Sequence, residues 1–140
     1  MTFINSPPPV VIDASIAVEL IIGNEQWRRV FDDWADEDRA LMSPVHFLAE
    51  VANAQLRGLR VPVAEVTARL ERLVAAGIDP VDRGLPGLVE AVDLADRHAL
   101  TVYDALYLQL ALDIGAELAT LDQGLQRAAT AEGLNVEIGG

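Results

Sequence analysis

The chain contains no lysine and no cysteine. Without cysteine, disulfides and thiolate metal sites are excluded. Without lysine, all 10 basic residues are arginine, and against 22 acidic residues they leave a net charge of −12. That balance argues against broad electrostatic attachment to nucleic acid. It leaves room for an acidic site that reaches phosphate through bound cations, or for a basic protein partner. No apolar run approaches the ~20 residues of a membrane span, and no basic stretch precedes the first apolar run. No targeting or membrane segment is therefore expected, and the default location is cytoplasmic. Neither glycine-rich phosphate fingerprint occurs, which disfavours a P-loop or dinucleotide-binding fold. Internal repeats and low-complexity segments are also missing.

What is present is apolar. Hydrophobic residues make up 51% of 140 residues, enough for one folded domain with a real core over 1–140. Residues 1–9 read as a short arm, because Pro7, Pro8 and Pro9 block regular structure. Val10–Ile12 is a β-branched run suited to a buried strand, and Ser15 is placed to cap a helix through Ile22. A polar helix follows over 25–36, then a strand over 40–43. Pro44 is expected in the first turn of a helix running to Gly58. Further on, the pattern predicts helices over 63–76, 88–98, 103–114 and 123–131, with strands over 78–81, 117–121 and 134–138. The helix over 103–114 is apolar on nearly every face and should be central. Strands alternating with helices predict an α/β domain whose parallel sheet is covered on both faces.

Four carboxylates interrupt this apolar pattern: Asp13 in VVIDAS, Glu50 in FLAEVANAQL, Asp104 in VYDALYLQL and Asp122 in LATLDQGL. Each is the only charge in its segment. An ionised carboxylate in an apolar setting is costly unless it is paired, and no lysine exists to pair with it. A missing metal ion is the natural counter-charge. Asp13 and Asp122 fall at strand carboxyl ends, where open α/β sheets bind their ligands. Asp104 opens the central helix behind Thr101, which also fits a helix-start box. Thr120 and Asp122 share one side of an extended segment. On the helix around Glu50, His46, Glu50, Asn53 and Arg57 recur along one stripe, while Val45, Leu48, Ala49, Ala52 and Leu56 form the apolar face. His46 is expected to pack or to contact Glu50. Phe47 and Val51, off that apolar face, are candidates for an interface. Each carboxylate has an ordinary local alternative, a turn, a cap or a solvated stripe. Together in one α/β domain they fit an oxygen-only site for Mg²⁺ or Mn²⁺ that activates water for attack at phosphorus.

With these residues in place, the sequence resembles the PIN-domain ribonucleases, specifically the toxins of VapBC toxin–antitoxin pairs. The resemblance rests on VVIDASIAV, SPVHFLAEVANAQLR, TVYDALYLQLALDIGAELATLDQGL and AATAEGLNV, and it spans nearly the whole chain in order. It implies a three-layer α/β/α sandwich with a parallel sheet of about five strands. It also implies a Mg²⁺ or Mn²⁺ site made by Asp13, Glu50, Asp104 and Asp122, supported by Ser15, Asn53 and Thr120. The expected activity is endonucleolytic cleavage of structured RNA such as tRNA or rRNA. The expected partners are a second copy of the chain and a small cognate antitoxin, whose tail places an arginine against the acidic pocket. One metal ion or two stays open. Arg57, Arg60, Arg28 and Arg29 are candidates for holding RNA.

Two rival readings are weighed beside it. A phosphoacceptor domain or phosphatase also uses a strand-end aspartate with Mg²⁺, but it normally needs a basic residue, commonly lysine, for the phosphoryl charge. The phosphatase pattern further wants an acid where Ser15 stands. The other rival is a non-catalytic partner-binding domain of the same fold, against which the four intact carboxylates argue.

Overall fold

Val10, Val11 and Ile12 are completely buried, as residues of a strand covered on both faces must be. They form β1 (Val10–Ile12), the central strand of the structure, a computed structural model that describes residues 6–137. Residues 1–5 of the expected arm and Ile138 of the expected last strand lie outside the described residues. The other strands are β2 (Leu41–Pro44), β3 (Ile78–Val81), β4 (Glu117–Ala119) and β5 (Val136–Glu137). All pair in parallel, in the order β3-β2-β1-β4-β5.

Seven helices connect them: α1 (Ala14–Ile21), α2 (Glu25–Asp36), α3 (Phe47–Asn53), α4 (Val63–Ala75), α5 (Gly84–His98), α6 (Val102–Ile114) and α7 (Gln123–Ala131). Right-handed crossovers fix the layers. The chain steps from β1 through β2 to β3 in one direction, which sets α1–α4 on one face. It then returns past β1 to β4 and β5, which sets α5–α7 on the other. The packing agrees: α1 meets α2 and α3, α3 meets α4, and α6 lies against α5, α7, β1, β2 and β4. The expected α/β/α sandwich is thus the fold observed, and α6 is central as its all-round apolar pattern requires.

The direction of winding reverses between β1 and β4. Their ends are joined by the Asp13 amide, which donates to the Ala119 carbonyl at 3.1 Å. A crevice at such a reversal is where side chains from two connections can meet over a ligand.

Four local expectations are corrected. Asp13, not Ser15, is the N-cap of α1, with its carboxylate accepting from the Ile16 amide at 3.2 Å. Helix α5 begins at Gly84 rather than 88, because the Asp82 carboxylate accepts the Gly84 amide at 2.7 Å and Pro86 is tolerated in a first turn. The strand expected over 117–121 ends at Ala119, since Thr120 and Leu121 turn away into side-chain bonds described below. The segment 44–58 is not one helix. Pro44 ends β2, α3 starts only at Phe47, and a π-helical turn (Ala54–Gly58) follows it. The faces therefore exchange. Phe47 and Val51 are fully buried core residues, whereas Val45 and Leu56, expected inside, are 51% and 41% exposed.

Candidate metal and active site

Asp13 lies at the carboxyl end of β1 and is 5% exposed. Its Oδ1 accepts from the Ser15 hydroxyl at 2.5 Å and from the Ile16 amide, and its Oδ2 accepts from the Thr120 hydroxyl. Thr120 Oγ1 in turn accepts the Asp122 amide at 3.0 Å, and Ser15 Oγ accepts the Leu121 amide at 3.0 Å. A short side-chain network thus ties the β1–α1 connection to the β4–α7 connection across the reversal. Burial pushes the Asp13 carboxyl up to about 6 against the pull of these donors, and the charge of Asp104 pushes the same way.

Asp104 stands in the first turn of α6. Thr101 caps this helix by accepting the Asp104 amide at 3.1 Å, so the helix-start box read from sequence is present. Burial raises the Asp104 carboxyl above its ordinary range, and the charges of Asp122 and Glu50 raise it further. Asp104 is thus electrostatically coupled to Asp13, Glu50 and Asp122 alike. Asp122 is exposed and caps α7, accepting the Leu125 amide at 2.8 Å.

Glu50 reaches this group from α3. Burial alone would raise its pKa, but bonds from His46 and Tyr107 outweigh it and hold the carboxyl below its ordinary range. Tyr107 donates to Glu50 Oε1 at 2.6 Å, and His46 Nε2 lies 3.2 Å from the same oxygen. The His46–Glu50 contact was expected from their i, i+4 spacing. Tyr107 was missed, although its signal is present in the sequence: it follows Asp104 by three residues and so shares its face of α6.

The remaining candidates divide. Ser15 and Thr120 are within the network. Asn53 is exposed at the end of α3, with no side-chain hydrogen bond among the described residues. Arg57 is exposed in the π-helical turn. There each residue advances the chain by less than an α-helical step, so Arg57 is carried off the stripe that passes through Glu50. Arg60 and Arg29 are exposed, and Arg28 pairs with Glu25 at 3.7 Å. Arg28 also lines a groove with Leu20, Ile21, Arg69, Arg72 and Leu73, which none of the four carboxylates borders. Arg127 on α7 was passed over in the sequence. A Cβ on Gly124 would stand 3.2 Å from Asp122 Oδ1 and 3.8 Å from Arg127 Nη2, but the grooves that Arg127 lines are bordered by none of the four carboxylates.

The donor set suits a hard divalent cation. All four groups offer carboxylate oxygens, and among the described residues none of them is paired with an arginine. Their mutual electrostatic cost is what a cation would relieve. In the arrangement described, no three His, Asp or Glu side chains are drawn together closely enough to enclose an ion. Mg²⁺ commonly binds one or two carboxylates and keeps several waters, so it does not require three converging side chains.

Comparison with known proteins now adds to this geometry. Residues 10–131 match the PIN domain family. The chain is 40% identical over 129 residues to "Ribonuclease VapC3" of Mycobacterium tuberculosis, covering 88% of this chain and 90% of that one. Among solved structures it resembles a toxin–antitoxin complex from Klebsiella pneumoniae, with a TM-score of 0.70 at 15% identity over 94% of this chain and 98% of that one. It also resembles Mycobacterium tuberculosis VapC20, described as a sarcin-ricin loop cleaving toxin. There the TM-score is 0.69 at 17% identity, over 89% of this chain and 95% of that one.

Proposed function

This chain belongs to the PIN-domain family, as a VapC-type ribonuclease that is the toxin of a toxin–antitoxin system, and from that premise we propose that Asp13, Glu50, Asp104 and Asp122 hold Mg²⁺ or Mn²⁺ for RNA hydrolysis. The observation that carries the proposal is the gathering of Asp13 at the end of β1, Asp104 on α6 and Glu50 bonded to Tyr107 of that same helix, with none of the four carboxylates paired with an arginine among the described residues. A divalent ion held by these carboxylates would supply Lewis acidity, to activate water and to offset negative charge at the phosphodiester.

The protein's own part is positioning and proton handling. Ser15 and Thr120 lock Asp13 in one orientation, and Thr101 fixes the turn that presents Asp104. Glu50, half-buried and kept ionised, is suited to complete the metal site or to orient the attacking water. A chain of net charge −12 has to hold RNA locally. Asn53, Arg57 and Arg127, all exposed, are the candidates for that contact.

The substrate class is structured RNA such as tRNA or rRNA, and the site of action is the cytoplasm. No helix among the described residues is long and apolar enough to cross a membrane. The small cognate antitoxin complements the acidic surface and would bring an arginine to the carboxylates. A second copy of the chain is the partner for α5, where Leu85, Leu88, Val89 and Val92 form an exposed stripe at i, i+3, i+4 and i+7. That stripe adjoins a cleft of about 270 Å³ lined by Leu88, Val45, Val81 and Leu106. The phosphoacceptor reading loses ground here, because residues 10–131 match the PIN domain family.

The test is cleavage of a mixed tRNA and rRNA substrate by purified toxin freed of antitoxin. Cutting with Mn²⁺, none with a chelator, and none by Asp104→Asn supports the reading. Equal cutting in chelator sinks it.

A further inference from the structure

Glu50 is the one carboxylate of the four that lies within a helix of the α1–α4 face, and it meets side chains of α6 from across the site. Its two oxygens are used unequally. Oε1 receives the Tyr107 hydroxyl at 2.6 Å and faces His46 Nε2 at 3.2 Å. Among the described residues, Oε2 takes neither of these bonds nor any other. His46 Nε2 also lies 3.1 Å from the Tyr103 carbonyl. A carbonyl can only accept, so this nitrogen donates its hydrogen to Tyr103, and Glu50 Oε1 meets the same N–H at 3.2 Å as a charge–dipole contact rather than a second full hydrogen bond. The imidazole is itself held in place, with its ring centroid 5.0 Å from that of Tyr107 and 6.0 Å from that of Tyr103.

Tyr107 is well suited to a fixed donor. It is 1% exposed, its ring belongs to the core, and it sits one helical turn after Asp104 on the same helix. Burial, then the bond to Glu50, raises the phenol well above its ordinary range, so the hydroxyl keeps its proton. A single rigid helix therefore presents both a carboxylate of the site and the donor that orients a second carboxylate from another helix.

We propose that Tyr107 and His46 are positioning residues that clamp Oε1 of Glu50 and so leave Oε2 as the oxygen available to the metal. The proposal rests on the metal-site reading above and deepens it. Outer partners of this kind typically change metal affinity by about 10- to 100-fold when removed.

The test is Mn²⁺ titration of the purified toxin by calorimetry, with the thermal melt of each variant recorded alongside. Tyr107→Phe deletes the hydroxyl and keeps the core ring, so its melt should stay near that of the wild type. Its Mn²⁺ affinity should fall about 10-fold. In a Glu50→Gln background, Tyr107→Phe should cause no further fall, because the group it orients is gone. His46→Gln, which can still donate, should bind more tightly than His46→Ala. Unchanged Mn²⁺ affinity in Tyr107→Phe overturns the proposal, and so does an equal loss in the Glu50→Gln background. A wild type that binds no Mn²⁺ overturns the metal-site reading itself, and the clamp with it.

Discussion

Asp13 should destabilise the metal-free protein that depends on it. Its carboxyl rises from an ordinary 3.8 to about 6 in the folded chain. At about 1.36 kcal/mol per pH unit, that rise corresponds to about 3 kcal/mol. A carboxyl with a raised folded pKa favours the folded state in acid and loses that advantage as pH climbs from about 4 to about 6. Above that interval the folded protein carries the full cost of a buried charge. Asp13→Asn removes the charge and keeps the shape. The Thr120 hydroxyl, with two lone pairs, can turn from donating to accepting. In a chelator at pH 8, Asp13→Asn should therefore be more stable than wild type by about 3 kcal/mol, or roughly 10 °C in melting temperature. At pH 4 the two should melt together. With Mn²⁺ present, the wild type should recover the difference by mass action while the variant gains little. RNA cleavage by the variant should be abolished. Thermal melts at a series of pH values, with and without Mn²⁺, measure all of this except the cleavage. If Asp13→Asn melts lower than wild type at pH 8 without metal, or if its advantage does not change with pH, the reasoning is refuted.

Other expectations follow from the same structure. Asp104→Asn should lower cleavage by more than about 100-fold, as expected for losing a group that stabilises transition-state charge, while the protein stays folded. Single-turnover assays at saturating Mn²⁺ measure this, and a loss under tenfold contradicts it. If the chain pairs through the exposed apolar stripe of α5, as proposed, Leu88→Glu puts a charge in that contact and should leave a monomer, read by light scattering after gel filtration. An unchanged mass shows that the stripe is not the dimer contact. Ala99 ends α5 in the left-handed conformation at φ 55° and is exposed. Ala99→Gly should relieve that strain and stabilise the protein by about 0.5–1 kcal/mol in urea unfolding, with no effect on cleavage.

The order of elements was legible because the apolar runs switch cleanly between strand and helix patterns. So were the four carboxylates, each a lone charge where the pattern demands none; Asp13 ends β1 and Asp104 opens α6 as expected, whereas Asp122 caps α7 three residues beyond β4 and does not share an extended face with Thr120. The segment from Pro44 to Gly58 was not legible. Helical periodicity projected over it assumes one unbroken α-helix, and a strand end at Pro44 with a π-helical turn after Asn53 breaks that assumption at both ends. As a result Phe47 and Val51 looked peripheral and prove to be core, while Val45 and Leu56 did the reverse. Ser15 was read as a cap because serine caps commonly do so; the structure gives that role to Asp13 and turns Ser15 into its hydrogen-bond donor. Tyr107 passed as one more apolar residue of a buried helix. Only the three-dimensional meeting of α3 and α6 shows what its hydroxyl reaches.

The central claim is that these four carboxylates form a site for a divalent cation. Calorimetric titration of antitoxin-free protein with Mn²⁺ tests it most directly, comparing wild type with Asp13→Asn and Asp104→Asn. The account predicts saturable binding by the wild type and loss of that binding in both variants, each still folded by circular dichroism. Saturable binding that survives both substitutions, or a folded wild type that binds no Mn²⁺, contradicts it.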